Sequence, residues 1–265
     1  MRMMIRAELV RLARRRTVMV GVLGALAFSA VATLAVFSSA GPSTGTGGPP
    51  PRGATTLDAL TDHGGGTEAF AVGASFAGFL VFVTFIALLA GEFSAGTFRA
   101  LLLRDPSRLR VIVGKVAGIL LVTAAVVALA EAFSFALSLA MALVEGVPTT
   151  NWFSVDSVLA GVGDYASVLA GVTGWAVFGT TLAVVFRSVP VALGVGFAWA
   201  GPFENIIVDS WSTGYRVFPG QVLSALMQGG TVQLGISRAV ATAAVYTGVA
   251  AALALFLVSR RDVTA

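Results

Sequence analysis

Two glutamates stand inside long apolar runs of this chain, Glu131 between Val116 and Val144 and Glu204 in the run that starts at Val191. A carboxyl group in such a setting is costly, by a contested figure of about 2.5 to 3.5 kcal/mol on insertion scales, so it must face protein or water rather than lipid. Ser134 and Ser138 share a helical face with Glu131, and Asn205 follows Glu204 directly. Two chemistries fit these residues. They line a substrate route or a dimer seam, or they form interhelical hydrogen bonds that fix packing. Arg216 or Arg238 is available to pair with Glu204.

Other reactive chemistry is excluded. The chain has no cysteine, so disulfides, thiolate metal sites and cysteine nucleophiles are ruled out. The single histidine, His63, lies in a Gly-rich stretch without a second histidine, and is read as solvated rather than as a metal ligand. A phosphate-binding loop needs a glycine-rich turn ending in Lys and Ser or Thr. The single lysine stands in Val113-Gly114-Lys115-Val116, with Leu109 at the first glycine position. No H-E-x-x-H and no G-x-S-x-G occurs either. The chain is therefore read as a non-enzyme that itself binds no metal and no cofactor.

The elements that must position these carboxyls are membrane spans. Of 265 residues, 57% are hydrophobic and 11% charged, against about 25% charged in soluble domains. Apolar runs at 17–37, 70–90, 116–144, 164–186, 191–208 and 236–258 consume most of the length. The fold class expected is all-α, a polytopic membrane protein of six transmembrane helices in one domain. The run at 17–37 is longer than the roughly 7 to 15 residues of a signal peptide core, so it is read as an uncleaved first span. Ala25, Ser29 and Thr33 make a small-residue stripe there that permits close helix approach. Gly201-Pro202 interrupts the fifth run. Proline removes a backbone donor, so the helix is expected to kink or end there, leading into an external half-hairpin at 209–235 with a short helix at 220–227.

Residues 1–16 hold Arg2, Arg6, Arg11, Arg14, Arg15 and Arg16 with Glu8 as the only acid, and Ile5, Leu9 and Leu12 recur at helical spacing. That pattern is an amphipathic interfacial helix whose arginines face water or anionic headgroups. Residues 38–67 are rich in Gly, Pro, Ser and Thr and are expected to form a flexible external loop with one helical turn near 56–60. Trp152-Phe153 in the second external connection reads as an interfacial anchor. With six spans, fourteen of the seventeen basic residues fall on one side and only Arg52, Arg216 and Arg238 on the other. By the positive-inside rule both termini are then cytoplasmic. The basic residues flank spans rather than interleave with aromatics, so no nucleic acid is implied.

Between the second and third spans lies GEFSAGTFRALLLRDPSRLRVIVGK, residues 91–115, with five basic residues against Glu92 and Asp105. Phe98, Leu101 and Leu102 recur at helical spacing, with a break at Gly96-Thr97 before them and a stop at Asp105-Pro106 after them. This stretch resembles the first cytoplasmic loop of ABC-2 type transporter permeases, where a glutamate closes the second span and a Gly-Thr-x-Arg segment opens the helix that contacts the ATPase subunit. The positions that carry the resemblance are Glu92, Gly96, Thr97, Arg99, Leu102, Pro106, Ser107, Arg108 and Lys115.

The resemblance implies a permease subunit that couples ATP hydrolysis by a separate nucleotide-binding subunit to export of an amphipathic drug, peptide or lipid-like substrate. ATP and Mg would be held by that partner. The implied coupling residues are Glu92, Gly96, Thr97, Arg99, Leu102, Arg104, Pro106 and Arg108. A second permease, identical or homologous, would complete the pore in the cytoplasmic (inner) membrane of a prokaryote. Two readings of other classes stand beside it: a secondary carrier or channel using Glu131 and Glu204, and a non-transporting assembly or sensor subunit.

Overall fold

The computed structural model describes residues 2–12, 15–40, 56–103 and 106–261. Arg14, Arg104, Asp105 and residues 41–55 of the linker at 38–67 lie outside the described residues. Among those described, the regular structure is helical: α1 (Arg2–Leu12), α2 (Arg15–Ser39), α3 (Leu57–Thr61), α4 (Gly65–Ser94), α5 (Thr97–Leu102), α6 (Arg108–Glu145), α7 (Val155–Phe186), α8 (Val189–Ala198), α9 (Glu204–Ser210), α10 (Pro219–Met227) and α11 (Ile236–Arg260). Among the described residues, six stretches are long and apolar enough to cross a membrane: 19–39, 65–94, 108–145, 155–186, 189–210 and 236–260. The chain is a multi-pass membrane protein.

Most spanning helices run past the apolar stretches that announce them. Α6 starts eight residues ahead of Val116, and α7 starts nine ahead of Asp164. Ser154 caps α7, its hydroxyl accepting from the Ser157 amide, which satisfies one of the orphan donors of the first turn. Asp164 is thereby carried inside the helix instead of bordering it. The fifth span is continuous too: a π turn at Trp199–Phe203 carries the chain through Pro202 into α9. An i→i+5 pattern lets the helix go on where an α-helix would end or bend sharply, so the expected break is replaced by a widened turn.

Α7 is the central element, packed on α4, α6, α8, α10 and α11. Bare backbone makes that possible. At Gly179 a Cβ would stand 2.7 Å from the Phe82 carbonyl oxygen and 3.1 Å from the Phe85 Cβ of α4. Α2 packs on α6 and α4, and the small-residue stripe meets α6: Ser29 donates to the Ala130 carbonyl at 3.3 Å, and the hydroxyls of Thr33 and Ser134 bond at 2.9 Å. Elsewhere α2, the fifth span and α11 expose Val20, Leu23, Phe197, Val245 and Phe256, as lipid-facing helices do.

At the end opposite α1, Trp152 differs from the expected interfacial anchor. It is buried, and its indole donates to the Leu60 carbonyl at 2.8 Å. An apolar body with one satisfied N–H is what an enclosed tryptophan requires, and here it ties the two connections together. Phe153 is the exposed member of the pair. His63 lies beside it, with Nδ1 3.0 Å from the Ser154 hydroxyl.

Because α4 and α7 touch through Gly179, Gly179→Leu is expected to overpack that seam by about 1–3 kcal/mol and to lower the thermal unfolding midpoint in detergent. Gly194→Ala, with nothing within 4 Å, should leave it where it was. A wild-type midpoint for Gly179→Leu would refute the close approach.

Candidate functional site

Residues 91–108 leave the membrane-spanning part in steps. Α4 ends at Ser94, Gly96 takes a left-handed φ of 70°, and α5 starts at once. Only glycine adopts that conformation without Cβ strain, so the sharp change of direction is written at Gly96. The Thr97 hydroxyl donates back to the Glu92 carbonyl at 3.2 Å, and Phe98 is buried against Phe93 with ring centroids 4.5 Å apart. The outward side of α5 shows Thr97, Arg99 and Ala100, with Leu103 86% exposed just after it. Leu102 is half-buried and Pro106 exposed.

Beneath this helix lies an ionic cluster in which Glu8, Glu92 and Lys115 are buried and Arg11 reaches solvent. Lys115, from the third turn of α6, donates to Glu8 Oε2 of α1 and lies equally close to Glu92 Oε1 of α4, both at 2.8 Å. Arg11 of α1 pairs with Glu92, and its Nη1 lies 3.4 Å from Glu8 Oε1. Burial alone would weaken the Arg11 guanidinium, but the hydrogen bond to Glu92 and the charges of Glu8 and Glu92 outweigh it and hold the proton more firmly than usual. Glu92 is thus turned inward, away from a partner's reach, and Arg11 is an ion-pair member rather than a headgroup contact alone. Arg6 remains exposed. Arg15 and Arg16 begin α2. Glu8 was missed as a site residue; its one signal is that it is the lone acid in a basic helix.

Three further arginines gather at this end. Arg108 donates to the Arg261 carbonyl at 2.6 Å, and Arg261 donates to the Val185 carbonyl at 2.8 Å. The turn between α7 and α8 packs on the end of α4, where Ser94 donates to the Arg187 carbonyl at 3.1 Å and the Arg187 guanidinium lies 5.7 Å from the Phe93 ring centre. Burial, then repulsion from Arg261 and Arg108, pushes the Arg187 pKa below its ordinary value.

The membrane-embedded carboxyls fall in two places. Glu131 is half-buried on α6 and faces α7, its Oε1 3.7 Å from where a Cβ at Gly161 would stand. Thr67 of α4 donates to Asp164 Oδ2 at 2.6 Å. Ser134 and Ser138 are fully buried, Ser134 against Thr33, while the Ser138 hydroxyl has no hydrogen-bond partner. Glu131 thus meets α7 while Ser134 meets α2. Asp164 was missed because it reads as the border of a span.

Glu204, at the start of α9, is fully buried. Its Oε1 accepts from the Trp199 indole at 2.6 Å and from the Gly220 amide at 3.3 Å. The anticipated pairing with Arg216 or Arg238 is not made. Arg216 donates to the Gln233 carbonyl at 2.9 Å, and Arg238 is exposed. Each lies in or beyond the segment that follows α9, whereas the π turn directs Glu204 toward α10. Asn205 donates to the Gly201 carbonyl at 2.7 Å and accepts from Gln221 at 3.3 Å.

A family model described as "Protein of unknown function (DUF2705)" matches residues 63–264. No curated protein matches the chain.

Removing one member of the ionic cluster leaves buried charge uncompensated. Lys115→Met is expected to destabilise the protein in detergent by about 3–5 kcal/mol, and adding Glu8→Gln with Glu92→Gln should recover most of that loss. A triple variant no more stable than Lys115→Met would refute the ionic reading.

Proposed function

The chain belongs to the DUF2705 family, and we propose that it is the membrane-spanning subunit of an ATP-driven transporter of the ABC-2 type, moving an amphipathic substrate with energy from a separate nucleotide-binding subunit. The observation that carries this reading is α5. A short helix, set at an angle by Gly96 and fixed from below by Phe98 and the Glu8–Arg11–Glu92–Lys115 cluster, presents Arg99 and Leu103 outward. A helix that had only to fix topology would need basic charge but no such anchorage.

In this proposal closure of the ATPase dimer pushes on α5. The push passes into α4 and α6 and biases the packing of two permease copies between two states. Both termini and α5 face the cytoplasm, in the inner membrane of a prokaryote. The roles divide by residue: Arg99 with Thr97 and Leu102 meets the partner, Gly96 sets the angle, and Glu92 anchors. Arg108 fastens the start of α6 to the end of α11.

A carrier coupled to ions is the second reading, favoured by Glu131 facing α7 and by Asp164 with Thr67. Transport by the purified chain without ATP would select it.

The absence of native cysteine makes the topology directly testable. Ala100→Cys should react with an impermeant maleimide only in inside-out vesicles, and Val232→Cys, at a position 99% exposed, only in intact cells; the reverse pattern would end the proposal. In proteoliposomes holding the chain with the ATPase encoded beside it, Arg99→Glu should cut substrate-stimulated hydrolysis roughly tenfold or more while the permease still assembles. Unchanged turnover would remove the coupling role.

A further inference from the structure

Behind the π turn lies a cavity of about 170 Å³, enclosed between α4, α7, the fifth span and the start of α10. Its walls are aromatic, with Phe82 of α4, Trp175 and Phe178 of α7 and Trp199 of the π turn. Glu204 supplies the one acidic group, which a bound cation would hold as the carboxylate. One of its oxygens is held by Trp199 and Gly220, and the Gln221 amide also acts on the carboxyl group. The other, Oε2, has no hydrogen-bond partner although the residue is fully buried. Gly220 lets the carboxyl group sit this close: a Cβ there would stand 2.5 Å from Oε2 and 3.3 Å from the Trp175 ring.

The chemistry of the lining selects the occupant. A carboxylate repels anions. A hard metal ion takes six or more oxygens, and this cavity offers one unshared carboxylate oxygen among ring carbons. A sugar or peptide would find almost no donors and acceptors. An alkylammonium group satisfies every element at once, since its charge meets Oε2 and its alkyl surface meets aromatic rings that attract cations. The volume has room for a small alkylammonium head. Val195 and Trp199 are exposed on the outer side of the fifth span, so the mouth opens toward lipid.

We infer that Glu204 and its aromatic cage form a binding site for an alkylammonium group that enters from the bilayer. The group is either the head of an amphipathic cation or a choline lipid headgroup. The inference names the substrate class for the transport reading above and rests on that reading only for what happens after binding.

The test uses the purified full chain alone, without ATPase or ATP, so failure of transport and failure of binding are separate results. In nanodiscs of phosphatidylglycerol, with Trp152→Phe and Trp211→Phe leaving Trp175 and Trp199 as reporters, choline should change the tryptophan fluorescence saturably. Its neutral isostere 3,3-dimethylbutanol should not. Glu204→Gln keeps an acceptor for Trp199 and Gly220 but loses the charge, and should weaken choline binding roughly tenfold or more at unchanged helicity. Should that variant fold poorly, Phe178→Leu, which leaves the carboxylate in place, should weaken it about three- to tenfold. Adding phosphatidylcholine to the nanodiscs identifies the source. Competition supports a lipid headgroup, and no competition supports a free amphipathic cation. No saturable change with choline, equal binding of the neutral isostere, or wild-type affinity in a folded Glu204→Gln chain would overturn the site.

Discussion

Two acids and a lysine withdrawn from water have to be satisfied by one another and by Arg11 at the cluster's rim, and that demand shapes one whole end of this protein. Lys115 sits between Glu8 and Glu92, and Arg11 closes the set from α1. The four residues come from three separate segments, so no rearrangement of one segment alone can satisfy them. A buried pair contributes little net stability over an apolar filling, yet breaking it is costly. The cluster therefore fixes position more than it adds stability. With α1 held against α6 and the end of α4 held against both, the chain after Glu92 can leave in few directions, and Gly96 supplies one of them.

A second constraint acts along the spans. Lipid gives no hydrophobic incentive for helices to associate, so close contact depends on small residues and on a few hydrogen bonds. Gly179 lets α4 reach α7, while Ser29 and Thr33 let α2 reach α6. Around α7 these contacts gather four other spanning helices and α10. Α4 has thirty residues, about 45 Å at 1.5 Å per residue. The same rigid element carries Glu92 at one end, Phe82 of the aromatic cage near its middle and the Thr67 hydroxyl that holds Asp164 at the other.

Composition and periodicity made the spans, the short helix after Gly96 and the helix near residues 220–227 legible, because each depends on local sequence. What was illegible depended on partners far along the chain. Glu8 and Lys115 are 107 residues apart, and nothing near either one names the other. Trp152 reads as an anchor until the Leu60 carbonyl, 92 residues away, is seen to take its indole proton. Asp164 was misplaced for a different reason: a carboxyl group next to glycines looks like the edge of a span, and the cap that moves the helix start back is at Ser154. Pro202 states that a donor is missing, but not whether the helix stops or widens.

That last ambiguity has structural consequences. In the π turn the Glu204 amide reaches back to the Trp199 carbonyl, and the same widening brings the Trp199 indole onto the Glu204 carboxylate. One local adjustment thus absorbs a proline, buries a carboxyl group and opens the space in front of it. The opposite wall is Phe82, ten residues along α4 from Glu92 and so about 15 Å away at 1.5 Å per residue. An α-helix held at Gly179 by backbone contact has little freedom to bend between those points.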